Sequence, residues 1–234
     1  MNAGFRTLPV IILFLLLALD ANSALKAQTP PSSAERAAYT GLLGVTASKA
    51  HNEMRQFIIN GLALEQRDSA ARTPYLVAAY NADQTAMDIL AKAGADTRAK
   101  DNRNYDAITI LSVANEPAAL KTAIALGGDV KAITSPYQGS ALIAAAHLGH
   151  HEVVHILIEA GATLDLVNNL GWTALIESIV LGDGGDNHQR SLQHLLKAGA
   201  NPNIADRNGT SPLALAQARG FTKMVEMLKA KAAR

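Results

Sequence analysis

The sequence predicts an all-α fold, a solenoid of about six helix-turn-helix units with short β-turn tips between them. Three observations carry this. A glycine suited to stopping a helix recurs at Gly61, Gly94, Gly127, Gly161 and Gly199, at spacings of 33, 33, 34 and 38 residues. A helix start recurs as Thr73-Pro74, Asp106-Ala107, Ser140-Ala141, Thr173-Ala174 and Ser211-Pro212, at spacings of 33, 34, 33 and 38 residues. Between one such start and stop, Ser140 to Leu164 lays out a whole unit. A small-residue helix runs through Ala144, Ala145 and Ala146, breaks at Gly149-His150, and gives way to a second helix carrying Val153, Val154, Ile156, Leu157 and Ile158. A hairpin this small cannot bury that face alone, so it needs neighbours of its own kind.

From the amino terminus, residues 1–27 have the layout of a cleavable secretory signal. Arg6 is followed by the apolar run from Leu8 to Leu19, then by Asp20 and the small residues Ala21, Ser23, Ala24 and Ala27. A spanning helix needs about 20 apolar residues, and Asp20 ends this run well short of that. Residues 28–35, rich in Pro and Ser, are expected to form an extended tether, because Pro30 and Pro31 resist helix.

The repeat domain is expected over 36–234, with units at about 36–67, 68–100, 101–133, 134–167, 168–205 and 206–234. The first keeps the glycine stop but no clear helix start, and reads as a degenerate cap. Thr73 caps the second, with Pro74 at the first helical position, where no amide hydrogen is needed. Asp106, Ser140 and Thr173 open the next three helices in the same way, and Ser211-Pro212 opens the last. Asp68, Asp101, Asn168 and Asp206 begin the turns that lead into their units. The fifth unit has room for an insertion, LGDGGDNHQR, between its helices. The sixth ends in Lys223, Glu226, Lys229, Lys231 and Arg234, the polar outer face that a terminal unit requires.

Composition narrows the function classes. The chain has 234 residues, 49% hydrophobic, 18% charged and 4% aromatic, with a formal net charge of +1. Removing residues 1–27 takes away one more cation than anions and leaves the charge near zero, which argues against a nucleic-acid or anionic-membrane surface. Cysteine is absent, so disulfides, thiol nucleophiles and thiolate zinc sites are excluded. No membrane contact is expected after signal cleavage, and the mature protein is expected in the periplasm or secreted.

At Thr73, Pro74, Ala78 and Ala79, at Gly149, His150, Glu152, Val153 and Val154, and at Asp206, Gly209, Ser211, Pro212 and Leu213, the chain resembles the ankyrin-repeat family. The resemblance covers roughly Ala37 to Lys231. The strings YDAITI (Tyr105 to Ile110), TSPYQGSALIAAAHLGH (Thr134 to His150) and NNLGWTALIESIVLGDGG (Asn168 to Gly185) are similar to those of exported bacterial ankyrin proteins. The resemblance implies that tips and first helices line a concave groove and that second helices form a convex back. With few signs of catalytic motifs, the chain is expected to be a non-enzymatic monomer, without a cofactor, that binds an unidentified protein or peptide by rigid shape complementarity.

Transferred onto the tips, that geometry nominates Arg72, Arg103, Tyr105, Tyr137, Leu170 and Trp172 as a partner-binding ridge. Aromatic and Arg side chains dominate binding hot spots, and three of the six Tyr and Trp residues fall on consecutive tips. The competing reading is that these rings only pack between turns. A second candidate centres on Glu177, whose counterparts are Val77, Ile110, Ala144 and Leu215. A carboxylate there must find a donor, reach water or bind something. Asp106, His147, Asp183 and His188 are expected near it, giving a polar pocket for a small ligand or weak catalysis, unless Glu177 simply caps the glycine-rich insertion.

His147, His150, His151 and His155 invite a metal reading. The Gly149-His150 turn separates His147 from the others, and only His151 and His155 share a helix face, with no third ligand in view. No metal site is therefore expected. Nor does the chain carry a nucleophile elbow or a phosphate-cradling loop.

Overall fold

The computed structural model describes residues 29–232. The predicted signal segment lies outside them. Helix α1 (Ser33–Ala38) precedes six helical hairpins. These pair α2 (Gly41–Ala47) with α3 (His51–Ile59), α4 (Pro74–Tyr80) with α5 (Gln84–Lys92), and α6 (Ala107–Val113) with α7 (Pro117–Ala125). They continue with α8 (Ala141–His147) and α9 (His151–Glu159), α10 (Ala174–Val180) and α11 (Asp186–Ala198), and α12 (Pro212–Ala218) and α13 (Thr222–Ala232). First helices stack on first helices and second on second, so one core runs the length of the stack.

Local chemistry accounts for the recurring boundaries. The side chains of Thr73, Asp106, Ser140, Thr173 and Ser211 accept the amides of Leu76, Thr109, Ile143, Ile176 and Ala214, which would otherwise be unpaired in the first turn. The five glycine stops all have positive φ, from 76° to 100°. At the turns, Oδ1 of Asp68 accepts the amides of Ala70 and Arg72 at 2.9 and 2.8 Å. Asp101, Asn168 and Asp206 repeat this with the residues two and four positions on. The fourth unit has Thr134 at this place, paired with Gly139 in an isolated bridge. That tip is one residue longer, which explains the 34-residue step between Asp106 and Ser140.

Two boundaries differ from expectation. The Pro/Ser segment at 28–35 is not an extended tether throughout, because α1 begins inside it at Ser33. Ser32 and Glu35 form a capping box: the Glu35 amide donates to the Ser32 hydroxyl and the Ser32 amide to the Glu35 carboxylate, at 3.2 and 2.7 Å. The insertion in the fifth unit is partly helical, and lengthens α11 to 13 residues where the preceding second helices have nine. Its loop is anchored to the sixth unit, where the Arg219 guanidinium donates to the carbonyls of Val180 and Gly182, both at 2.8 Å.

Candidate interaction surface

Consecutive tips are joined backbone to backbone. The Asn102 amide donates to the Ala70 carbonyl at 2.9 Å, Ser135 to Asn104 at 3.1 Å, and Asn169 to Tyr137 at 3.0 Å. Long side chains reinforce the ladder: Arg67 donates to the Lys100 carbonyl at 3.0 Å and the Lys100 ammonium to the Ile133 carbonyl at 2.9 Å. Arg207 closes it onto the Asn169 carbonyl.

The six residues assigned to one ridge divide into two groups. Arg103 is exposed, and Tyr137 and Leu170 are half-buried. Arg72, Tyr105 and Trp172 are only 3%, 5% and 8% exposed, so a continuous ridge of all six does not form. The turn geometry explains why. Arg72, Tyr105 and Trp172 each stand four positions after the turn-opening Asp or Asn and give their amides to its Oδ1. There the chain turns back into its first helix, and the side chain enters the stack. Arg103 and Leu170 stand two positions after the opener, on the outer side of the bend. Burial, with Asp101 close by, pushes the Tyr105 phenol up to about 12.

Arg72 is the hub of a buried polar cluster that sequence spacing does not reveal. Its Nε donates to Asp68 Oδ2 at 2.6 Å, Nη1 donates to the Thr29 carbonyl at 3.2 Å, and Nη2 pairs with Glu35. Its guanidinium lies 6.0 Å from the centroid of the Tyr80 ring. The Tyr39 hydroxyl also donates to Asp68. Burial opposes the charge on Asp68, but the bonds from Tyr39 and Arg72 outweigh it and hold its pKa below the usual aspartate value. The amino-terminal segment is thus docked through Arg72, leaving a polar cleft of about 180 Å3 bounded by Glu35, Arg72, Tyr80, Asp101, Asn102 and Arg103.

The structure joins four of the five predicted pocket residues in two pairs. Glu177 is 3% exposed; Asn168 Nδ2 donates to its Oε1 at 2.8 Å, and Oε2 lies 3.3 Å from His147 Nδ1 without an aligned hydrogen bond. His188 Nδ1 is 2.8 Å from Asp183 Oδ1, and its Nε2 is 2.9 Å from the His147 carbonyl. The His188 ring sits so close to Gly149 and Gly182 that a Cβ at either would approach it within 2.9 Å. Here His188 acts as a strut between the fourth and fifth units. Glu177 therefore turns toward Asn168 and does not cap the insertion. Asp106 lies apart, as the cap of α6, and its burial raises its pKa.

On the second helices, the His194 ring of α11 stacks on His155 and His151 of α9, with centroids 4.9 and 6.2 Å apart and planes 22° and 15° apart. Residues 151–155 spell His-Glu-x-x-His, a pattern that sets two imidazoles on one helix face. That pattern was the available sequence signal, whereas His194 lies 39 residues beyond His155 and is supplied only by the fold. Among the described residues, no three His, Cys, Asp or Glu side chains are arranged to hold a metal ion in their present rotamers.

Comparison with known proteins agrees with this architecture. A family model for ankyrin repeats in three copies matches residues 109–206. The ankyrin repeat protein YahD of Escherichia coli (strain K12) is 30% identical over 174 residues, which span 74% of this chain and 86% of that one. A solved ankyrin repeat domain from Acinetobacter baumannii AYE is similar with a TM-score of 0.78 and 37% identity, covering 82% of this chain and 97% of the other. The ankyrin repeat domain of Bcl-3 matches at a TM-score of 0.75 with 23% identity, covering 83% of this chain and 86% of that one, a likeness of fold alone. The chain belongs to the ankyrin-repeat family.

Proposed function

We propose that this protein is a non-enzymatic module that binds another protein or a peptide along its concave face, and that it does so after export from the cytoplasm. Ankyrin-repeat domains generally mediate protein–protein interaction. The observation that carries the finer reading is the backbone ladder between tips. It holds Arg103, Tyr137 and Leu170 in one frame before any partner arrives, so little conformational entropy is lost on binding. Those three offer a cation, an aromatic ring and an apolar side chain, while Arg72, Tyr105 and Trp172 support them from within.

The test is retention of partners by immobilised protein from an extracytoplasmic extract, compared with an Arg103→Ala/Tyr137→Ala/Leu170→Ala variant. Loss of the retained partner, with the thermal midpoint within a few degrees of wild type, supports the proposal. Undiminished retention removes the tips from consideration. Export rests on the layout of residues 1–27, and mass analysis of the mature amino terminus tests it: a chain beginning after Ala24 or Ala27 is expected.

A second reading has its own observation, the buried Glu177 carboxylate with one oxygen lacking a hydrogen bond. If a small ligand binds there, Glu177→Gln abolishes its binding while leaving partner retention by the tips intact. If the tips carry the function, the same variant is silent.

A further inference from the structure

Four of the seven histidines are committed to polar partners. His51 contacts Asp83 at 2.7 Å, His150 the Ser112 carbonyl at 3.0 Å, His147 the Glu177 carboxylate, and His188 both Asp183 and the His147 carbonyl. His151, His155 and His194 make no side-chain hydrogen bond among the described residues and instead stack on one another. We propose that these three form a binding site for a divalent transition metal, zinc being the ion tested, on the second helices of the fourth and fifth units.

Distance supports the assignment. A zinc–nitrogen bond is about 2.0–2.1 Å, and the ring centroid lies roughly 1.1 Å beyond the nitrogen, so two imidazoles on one tetrahedral zinc have centroids roughly 5 Å apart. His194 and His155 are already at 4.9 Å, and His194 and His151 at 6.2 Å. Residues four apart on a helix have Cβ atoms roughly 5–6 Å apart, so His151 and His155 are suitably spaced as well. What separates the present arrangement from a bound one is ring orientation. Stacked planes must turn so that one nitrogen of each ring faces a common point.

Such rotation is open to them. His155 is exposed, and His151 and His194 are half-buried. The backbones that carry them are fixed, since Val153, Val154 and Leu157 of α9 and Leu192, Leu195 and Leu196 of α11 are buried in the core. A bound ion would need three neutral imidazoles and would take water in its fourth position. The cations Arg190 and Lys197 act on His194 from its own helix, and Glu152 and Glu159 flank the histidines of α9. An ion held there would clamp the second helices of two adjacent units.

Competition against a chromophoric chelator, with ZnCl2 and protein free of any polyhistidine tag at pH 7.5, tests the site. One zinc per chain is expected. His155→Ala and His194→Ala should each weaken it by more than the roughly 10–100-fold typical of outer-shell partners, whereas Gln193→Ala, an exposed neighbour, should not. Zinc should also raise the thermal midpoint of wild type but not of the His151→Ala/His155→Ala/His194→Ala variant, and circular dichroism checks that both are folded without metal. Wild type that takes zinc from the chelator no better than the triple variant overturns the proposal. Wild-type affinity retained in either single variant does so too.

Discussion

Arg72→Ala separates a structural role from a binding role most cleanly. Arg72 and Asp68 have side chains only 4% exposed, and the variant leaves the Asp68 carboxylate buried without its cation. Breaking a buried pair from one side typically costs about 3–5 kcal/mol. Asp68 retains the Tyr39 hydroxyl and the amides of residues 70 and 72, so the low end, about 3 kcal/mol, is expected. At roughly 2–4 °C per kcal/mol for a domain of this size, the midpoint falls by about 6–12 °C. The Glu35 side chain is 36% exposed, so Glu35→Ala should cost less than about 1 kcal/mol. Thermal denaturation followed by circular dichroism gives the ordering. Hydrogen exchange should show amides of α1 losing protection in Arg72→Ala before those of α8. An Arg72→Ala midpoint equal to wild type, or a larger loss from Glu35→Ala, would refute the account of Arg72 as the buried hub of the amino-terminal docking.

Three further outcomes follow from the same geometry. Trp172→Ala, at an 8% exposed core position, should cost about 3–5 kcal/mol in urea denaturation, whereas Leu170→Ala should cost well under half of that. Asp106→Asn should keep the helix cap without a buried charge and hold or raise stability at pH 7, while Asp106→Ala loses about 1 kcal/mol, as calorimetry would show. Acid should release α1. Asp68 and Glu35 titrate below their ordinary values of 3.8 and 4.5, so their contribution is complete above those values and is lost as pH falls through the lower folded ones. Amide NMR signals of residues 33–39 should therefore move toward coil positions at low pH before those of α8.

The repeat, its caps and its glycine stops were legible because each depends on a few adjacent residues. Thr73 must cap Leu76 and Gly94 must end α5 whatever lies elsewhere in the chain. Position on the tips was legible too, since Asp101 and Asn168 announce their turns. Direction was not. Arg103 and Tyr105 are two residues apart in one turn, whose bend sets them on opposite sides, and only the stacked units make the inner side a buried one. Aromatic content alone therefore placed Tyr105 and Trp172 on a surface they do not reach.

Pairing between units was beyond the reach of sequence for the same reason. Arg72 meets Glu35 across 37 positions, and His188 meets the His147 carbonyl across 41. The period says that units stack, but the polar partners are chosen by side chains that stacking brings within about 3 Å. Sequence determined the solenoid, because its signals are local and repeated at each unit. Only tertiary structure decided that Arg72 fastens the amino-terminal segment, that Arg103, Tyr137 and Leu170 remain accessible, and that His194 completes a histidine trio, because each of those facts belongs to two units at once.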